Sequence, residues 1–181
     1  MKIINAKIWN GGSELEQFDI GVANERFVET AALEPDVELI DAKGLTVLPG
    51  LINAHVHFSL DGGPDSVGNL VKQAHLITAY KAAYAAEATL LAGTTTVRDV
   101  GCSGAIGPML KKAIEAGFVK GPRMLTSGAC IVMTGGHNRF IGVEVDGVDE
   151  ARKAARQQLK LGADLIKVVS TGGVITAGVE P

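Results

Sequence analysis

Two histidines one residue apart, His55 and His57, stand at the end of the apolar run Leu51-Ile52-Asn53-Ala54-His55-Val56-His57. Side chains two apart in a strand point to the same side. Two imidazoles on one face can chelate a metal ion, each through one ring nitrogen at about 2.0–2.1 Å from zinc. A bare His-x-His also arises as a pair of surface or capping histidines. Here the Leu48-Pro49-Gly50 entry, the apolar strand and the terminal position favour chelation. The C-terminal ends of parallel strands are where α/β proteins place their chemistry.

Lys167 is the second anomaly, because it interrupts the apolar run Leu165-Ile166-Lys167-Val168-Val169. A lysine buried in a strand is costly as an ammonium, and burial lowers its pKa. It can snorkel to solvent at the strand end. Alternatively the neutral amine captures carbon dioxide and becomes an anionic carboxylate, which could bridge two metal ions that offset its buried charge. His137, in Met133-Thr134-Gly135-Gly136-His137-Asn138-Arg139, is a third candidate: either a ligand contact beside glycines that admit close backbone approach, or part of a surface turn. His75 falls mid-helix and reads as structural. Arg98-Asp99 ends a strand and reads as a salt-bridged rim pair. Ser170-Thr171-Gly172-Gly173 is a weak phosphate-turn signal. Cys102 and Cys130 have no base nearby in sequence and read as free thiols.

What positions these residues is a chain of 181 residues, the size of one domain with a small appendage. Its 46% hydrophobic and 20% charged residues are those of a globular protein and exclude disorder or a coiled coil as the main description. A net charge of −3 is no footprint for nucleic acid. Two cysteines make no disulfide framework. No apolar run approaches the roughly 18–20 residues of a membrane span, and the N-terminus lacks a signal-peptide core. A soluble, cytoplasmic protein is expected.

The chain changes character near residue 50. Short β-like runs precede it: Lys2 to Trp9, Gln17 to Ala23, Arg26 to Thr30, Val37 to Asp41 and Leu45 to Leu48, separated by turn signals and spaced as a small antiparallel unit. Strands and helices alternate afterwards. Strands are expected at Leu51 to His57, Thr94 to Asp99, Arg123 to Thr126 and Asp164 to Val169. Helices are expected at Ser66 to Ala92, Pro108 to Ala116 and Asp149 to Leu161, the last capped by Asp149 and stopped by Gly162. The stretch from Ser127 to Gly147 is too long for an ordinary connector and reads as a functional loop. Strand–helix repeats of this length predict an α/β fold with a parallel sheet and helices outside. Four strands are half the complement of a (β/α)8 barrel, which takes about 250 residues. The expectation is a β segment over 1–50, then the first four βα units of a TIM-like barrel over 51–181, the chain ending at Glu180-Pro181.

Taken together these residues resemble the amidohydrolase superfamily. Leu48 to His57 is similar to its first metal-binding strand, Gly93-Thr94-Thr95-Thr96-Val97-Arg98-Asp99 to its second, and Asp164-Leu165-Ile166-Lys167 with Ser170 to Gly173 to its carboxylated-lysine strand. Thr134-Gly135-Gly136-His137 resembles the branch of imidazolonepropionase-like hydrolases and prolidase-like metallo-carboxypeptidases. The resemblance implies that the first 50 residues contribute to a small β-sandwich. It implies one or two zinc ions held by His55, His57 and carboxylated Lys167, with His137 contacting substrate. The implied activity is hydrolysis of amide, peptide-like or cyclic-amide C–N bonds by metal-activated water. The implied substrate is a small molecule or dipeptide-like compound. The family's remaining ligands, two histidines after strands five and six, lie past residue 181 in this reading, as does the proton-shuttling aspartate after strand eight. No catalytic general base is therefore identified in this chain, and a C-terminal half chain or self-association is expected to complete it.

Two other readings stay open at this level. One is a non-catalytic truncated or split half-barrel that pairs with a second chain through its open strand edges. The other is a metal-free barrel enzyme with a Schiff-base Lys167 and a phosphate on Ser170 to Gly173.

Overall fold

A computed structural model describes residues 1–12, 16–173 and 176 of the chain, and the expected end at Glu180-Pro181 lies outside them. The chain divides at Pro49/Gly50 into two compact units.

The first unit is built from very short strands: β1 (Lys2–Ile4), β2 (Lys7–Ile8), β3 (Glu16–Gln17), β4 (Ile20–Ala23), β5 (Arg26–Val28), β6 (Leu39–Asp41) and β7 (Thr46–Val47). They form two sheets, in the orders β5-β4-β1-β6 and β3-β2-β7. The expected strand from Lys2 to Trp9 is broken at Asn5, whose φ of 61° takes the chain out of the extended region. Asn5 Nδ2 donates to Asp41 Oδ1 at 2.9 Å, which holds this corner. The β4–β5 hairpin turns through Asn24 and Glu25, at φ 49° and 60°, the pair of left-handed residues that a tight hairpin requires. The expected antiparallel character is corrected. β1 pairs with β4 antiparallel but with β6 parallel, and β2 pairs with β7 parallel. Hydropathy alternation carries no strand direction, so sequence could not separate the two. The core is small: Ala6, Ile8, Ile20 and Ala42, flanked by Ile3, Val22 and Val47.

The second unit alternates strands and helices: β8 (Leu51–Val56), α1 (Ser66–Lys72), α2 (His75–Leu91), β9 (Thr94–Asp99), α3 (Ile106–Glu115) and β10 (Arg123–Thr126), then β11 (Cys130–Val132), β12 (Gly142–Glu144), α4 (Gly147–Leu161) and β13 (Val168–Val169). Two all-parallel sheets result, β10-β9-β8 and β12-β11-β13. The architecture is thus mixed α/β. α2 and α3 pack on β9 and β10 around Phe58, Ala82, Ala86, Val97, Cys102, Ile106, Leu110 and Met124. Pro108 sits in the first turn of α3, where its missing N–H breaks no helical bond. Gly162, at φ 105°, ends α4 in the left-handed conformation that glycine adopts at least cost. No helix among the described residues is long and apolar enough to cross a membrane.

Several expected elements are corrected. The single helix over Ser66 to Ala92 is two helices, broken at Gln73 and Ala74, both with extended ψ. The Gln73 amide donates to the buried Thr78 hydroxyl at 2.9 Å. The apolar period runs through the break, so pattern alone could not reveal it. His75 therefore opens α2 instead of lying mid-helix. Asp146, not Asp149, flanks the start of α4, and Asp149 falls in its first turn. The stretch from Ser127 to Gly147 is not a loop: it holds β11, a 3₁₀ turn at Arg139–Ile141 and β12, packed through Cys130, Val132 and Ile141. The fourth expected strand shortens to Val168–Val169, with Val168 exposed.

Candidate metal centre

β8 is the edge strand of its sheet among the described residues, and its side chains from Leu51 to His55 are exposed. Its ladder with β9 is irregular: Asn53 pairs with Val97 and Val56 with Asp99, so Ala54 and His55 together oppose Arg98 alone. Such a bulge re-aims the side chains around it. Arg98 Nε donates to the Ala54 carbonyl at 2.8 Å and fills the gap in the ladder.

Beyond the bulge the two imidazoles converge. His55 Nε2 and His57 Nε2 lie 3.2 Å apart, with the rings nearly perpendicular at 74°. His57 Nδ1 is 2.9 Å from the Gly101 carbonyl oxygen. A carbonyl only accepts, so Nδ1 carries the hydrogen and the neutral ring keeps its lone pair on Nε2. Burial lowers the pKa of His57, outweighing the Gly101 bond that would raise it; the charges of His55 and Lys167 lower it further. The neutral, ligand-competent form of His57 is therefore favoured. Two nitrogens each about 2.0–2.1 Å from one zinc ion would stand about this far apart, so the pair fits a divalent cation.

Lys167 lies immediately before β13, half-buried, and its own carbonyl accepts the Ile131 N–H at 2.8 Å. It lines one cleft of about 490 Å³ with His55, His57, His137 and the Ser170–Gly172 turn. All four expected site residues thus face one cavity. His137 is not on a free turn: its Nδ1 is 3.0 Å from Thr176 Oγ1, and Gly173 packs against its Nε2 edge so closely that a Cβ there would lie 2.3 Å away. The neighbouring Asn138 is left-handed, with φ 65°, and buries an Oδ1 that has no hydrogen-bond partner among the described residues. No cluster of three or more His, Cys, Asp or Glu side chains placed to hold a metal occurs among the described residues.

Other expectations change. Arg98 and Asp99 form no salt bridge. Adjacent strand residues face opposite sides; Arg98 goes to the Ala54 carbonyl, and Asp99 is fully buried. Burial pushes the Asp99 carboxyl up to about 7, against hydrogen bonds from Thr126, Phe58 and Cys102 that would lower it. Cys102 and Cys130 are buried free thiols, and burial raises the pKa of both, to about 11 for Cys130. His75 packs against the turn before α3, its imidazole 2.8 Å from where a Gly104 Cβ would lie. Sequence reasoning missed Gly101 and Thr176. A backbone carbonyl leaves no side-chain signature, and Thr176 reaches His137 across 39 residues.

The model of the amidohydrolase family matches residues 46–181. Ochratoxinase of Aspergillus niger is 28% identical over an alignment covering 75% of this chain and 33% of that protein. Among solved structures, a prolidase complexed with N-methylphosphonate-L-proline superimposes with a TM-score of 0.85 at 29% identity, over 99% of this chain and 48% of the other. A Xaa-Pro dipeptidase with bound methionine gives 0.79 at 32% identity, over 97% and 48%. The chain thus spans a third to a half of the length of these relatives.

Proposed function

As the chain belongs to the amidohydrolase family, we propose that it carries the first metal-binding half of a hydrolase of amide or peptide-like C–N bonds. In this reading residues 1–50 contribute to a β-sandwich and 51–181 are the first four βα units of a (β/α)8 barrel. The observation that carries the proposal is the 3.2 Å approach of His55 Nε2 to His57 Nε2, with His57 Nδ1–H spent on Gly101. The His57 Nε2 lone pair is met either by the Nε2–H of a neutral His55 in that tautomer or, with the His55 hydrogen on Nδ1, by a cation that both nitrogens bind.

His55, His57 and a carboxylated Lys167 would hold one or two divalent cations, zinc by preference for imidazole nitrogen. When bound, such a cation supplies Lewis acidity, polarising an amide carbonyl and acidifying water. The chain's own residues do the rest of what this half can do. Gly101 fixes the tautomer and ring orientation of His57. His137, whose Nδ1 is 3.0 Å from Thr176 Oγ1, lines the same cleft and would contact substrate there. The prolidase and dipeptidase likenesses support a small dipeptide-like substrate, and a soluble cytoplasmic location suits that chemistry.

Elemental analysis of the purified chain tests the assignment. Zinc or a substitute divalent ion should be present, and lost in the double variant His55→Ala with His57→Ala. Metal content unchanged by that double substitution would overturn the reading. Intact-protein mass should show one added carboxyl group on Lys167 when metal is loaded; bare lysine in a loaded site would remove it from the ligand set.

A second reading is favoured by the exposed β8 face. It is a non-catalytic half-barrel that pairs with another chain or with itself. Metal-free protein that elutes as a stable assembly would select it.

A further inference from the structure

One buried ionisable side chain has no part in the chemistry above. Asp99, the last residue of β9, is 0% exposed. Its Oδ2 accepts from Thr126 Oγ1 at 3.1 Å, and its Oδ1 lies 3.4 Å from the Phe58 N–H. The Cys102 thiol bonds to it as well. α3 closes over the group: a Cβ on Gly107 would come within 2.6 Å of Oδ2. Thr126 is itself fixed. Its hydroxyl accepts from the Gly128 N–H at 3.0 Å, and its N–H donates to Asp164 Oδ2 at 2.9 Å. Asp164 is gripped in turn by Lys111 of α3.

A lone carboxyl in an apolar core is costly, and an apolar residue would fill the same space at less expense. What Asp99 reaches explains its place. Phe58 directly follows His57, and Gly101, which anchors the His57 ring, lies two residues beyond Asp99. The end of β9 therefore grips the His57–Phe58 segment at two points: the carboxyl faces the Phe58 N–H, and the Gly101 carbonyl takes the imidazole N–H. A ligand geometry must be held to within about 0.5 Å to be productive, which requires a support of this kind.

We propose that Asp99 is a positioning residue of the metal centre, its carboxyl clamped by Thr126 and holding the Phe58 N–H so that His57 Nε2 stays aimed at the point it shares with His55. The proposal rests on the metal-centre reading above.

The test uses the full chain with Zn²⁺ and Co²⁺ as probes, in four forms: unsubstituted, Asp99→Asn, Asp99→Ala and Thr126→Val. Zinc affinity is read by competition with a chromophoric chelator, and ligand geometry by the visible absorption of the cobalt form. Asp99→Asn keeps an acceptor for Phe58 and gains a donor for Thr126, so it should retain both affinity and spectrum. Asp99→Ala and Thr126→Val should lose roughly 10–100-fold in affinity and shift the cobalt bands, with native circular dichroism. Thr126→Val conserves volume and decides the matter alone should Asp99→Ala not fold. Unaltered affinity and cobalt spectrum in folded Asp99→Ala and Thr126→Val would overturn the proposal, as would a loss that Asp99→Asn shares in full. An unsubstituted chain that binds neither ion would instead overturn the metal centre on which the proposal stands.

Discussion

The Gly101 carbonyl accepts the Nδ1–H of His57 at 2.9 Å and so determines which ring nitrogen is free. At Gly101, where φ is 153°, a Cβ would lie 3.2 Å from Ile141 Cδ1 and 3.3 Å from His57 Nδ1, so one of these side chains would have to shift by a few tenths of an ångström. Gly101→Ala should displace the carbonyl or the ring. The expected outcome is a fall in zinc affinity of roughly 10–100-fold, checked by chelator competition.

His57 titrates below the ordinary histidine range, first because it is buried. In an NMR titration of the metal-free chain its midpoint should fall below 6.5. Between that midpoint and about 6.5 the unfolded chain binds a proton that the folded chain refuses, so this group withdraws stability as pH falls through the window. Zinc affinity should fall as pH drops through the range in which the ligand imidazoles protonate, because only neutral imidazole ligates.

The sign reverses at Asp99. Its carboxyl, pushed up to about 7, keeps a proton that the unfolded chain releases near 4. Folding stability should therefore decline as pH rises from about 4 to 7 and level off above, a loss of up to about 4 kcal/mol. Asp99→Asn, neutral at every pH, should erase that slope. Urea unfolding at pH 5 and pH 8 checks it: the variant's gain over the parent should appear at pH 8 and shrink at pH 5.

β8 offers an exposed apolar edge, with Leu51 56% and Ile52 73% exposed. Unpaired edges that carry such residues recruit other strands. Ile52→Lys should shift the chain from assemblies toward monomer in size-exclusion chromatography and reduce binding of a hydrophobic dye, without changing zinc uptake.

The parts of this molecule that sequence foretold are those whose signal is local. Thr94 to Asp99 is a β-branched run, and its strand has the expected bounds. Gly162 stops α4 where a glycine after a periodic run should. His55 and His57 stand at the C-terminal end of β8 and line one cleft with His137 and with Lys167, which precedes β13; that grouping depends on contacts between separate sheets. What stayed hidden depends on partners distant in the chain. β11 and β12 look like loop because their three-residue strands are specified by pairing with each other and with β13, not by their own pattern. Arg98 and Asp99 read as an ion pair because opposite charges stand together in sequence, yet the pleat sends one to the Ala54 carbonyl and the other into the core.

The surplus residue in β8 makes this stretch sensitive to number as well as to kind. Ala54 and His55 share the single place opposite Arg98, and the ladder resumes at Val56. Gain or loss of one residue between Asn53 and Val56 would recount the alternation and change which face each imidazole leaves from.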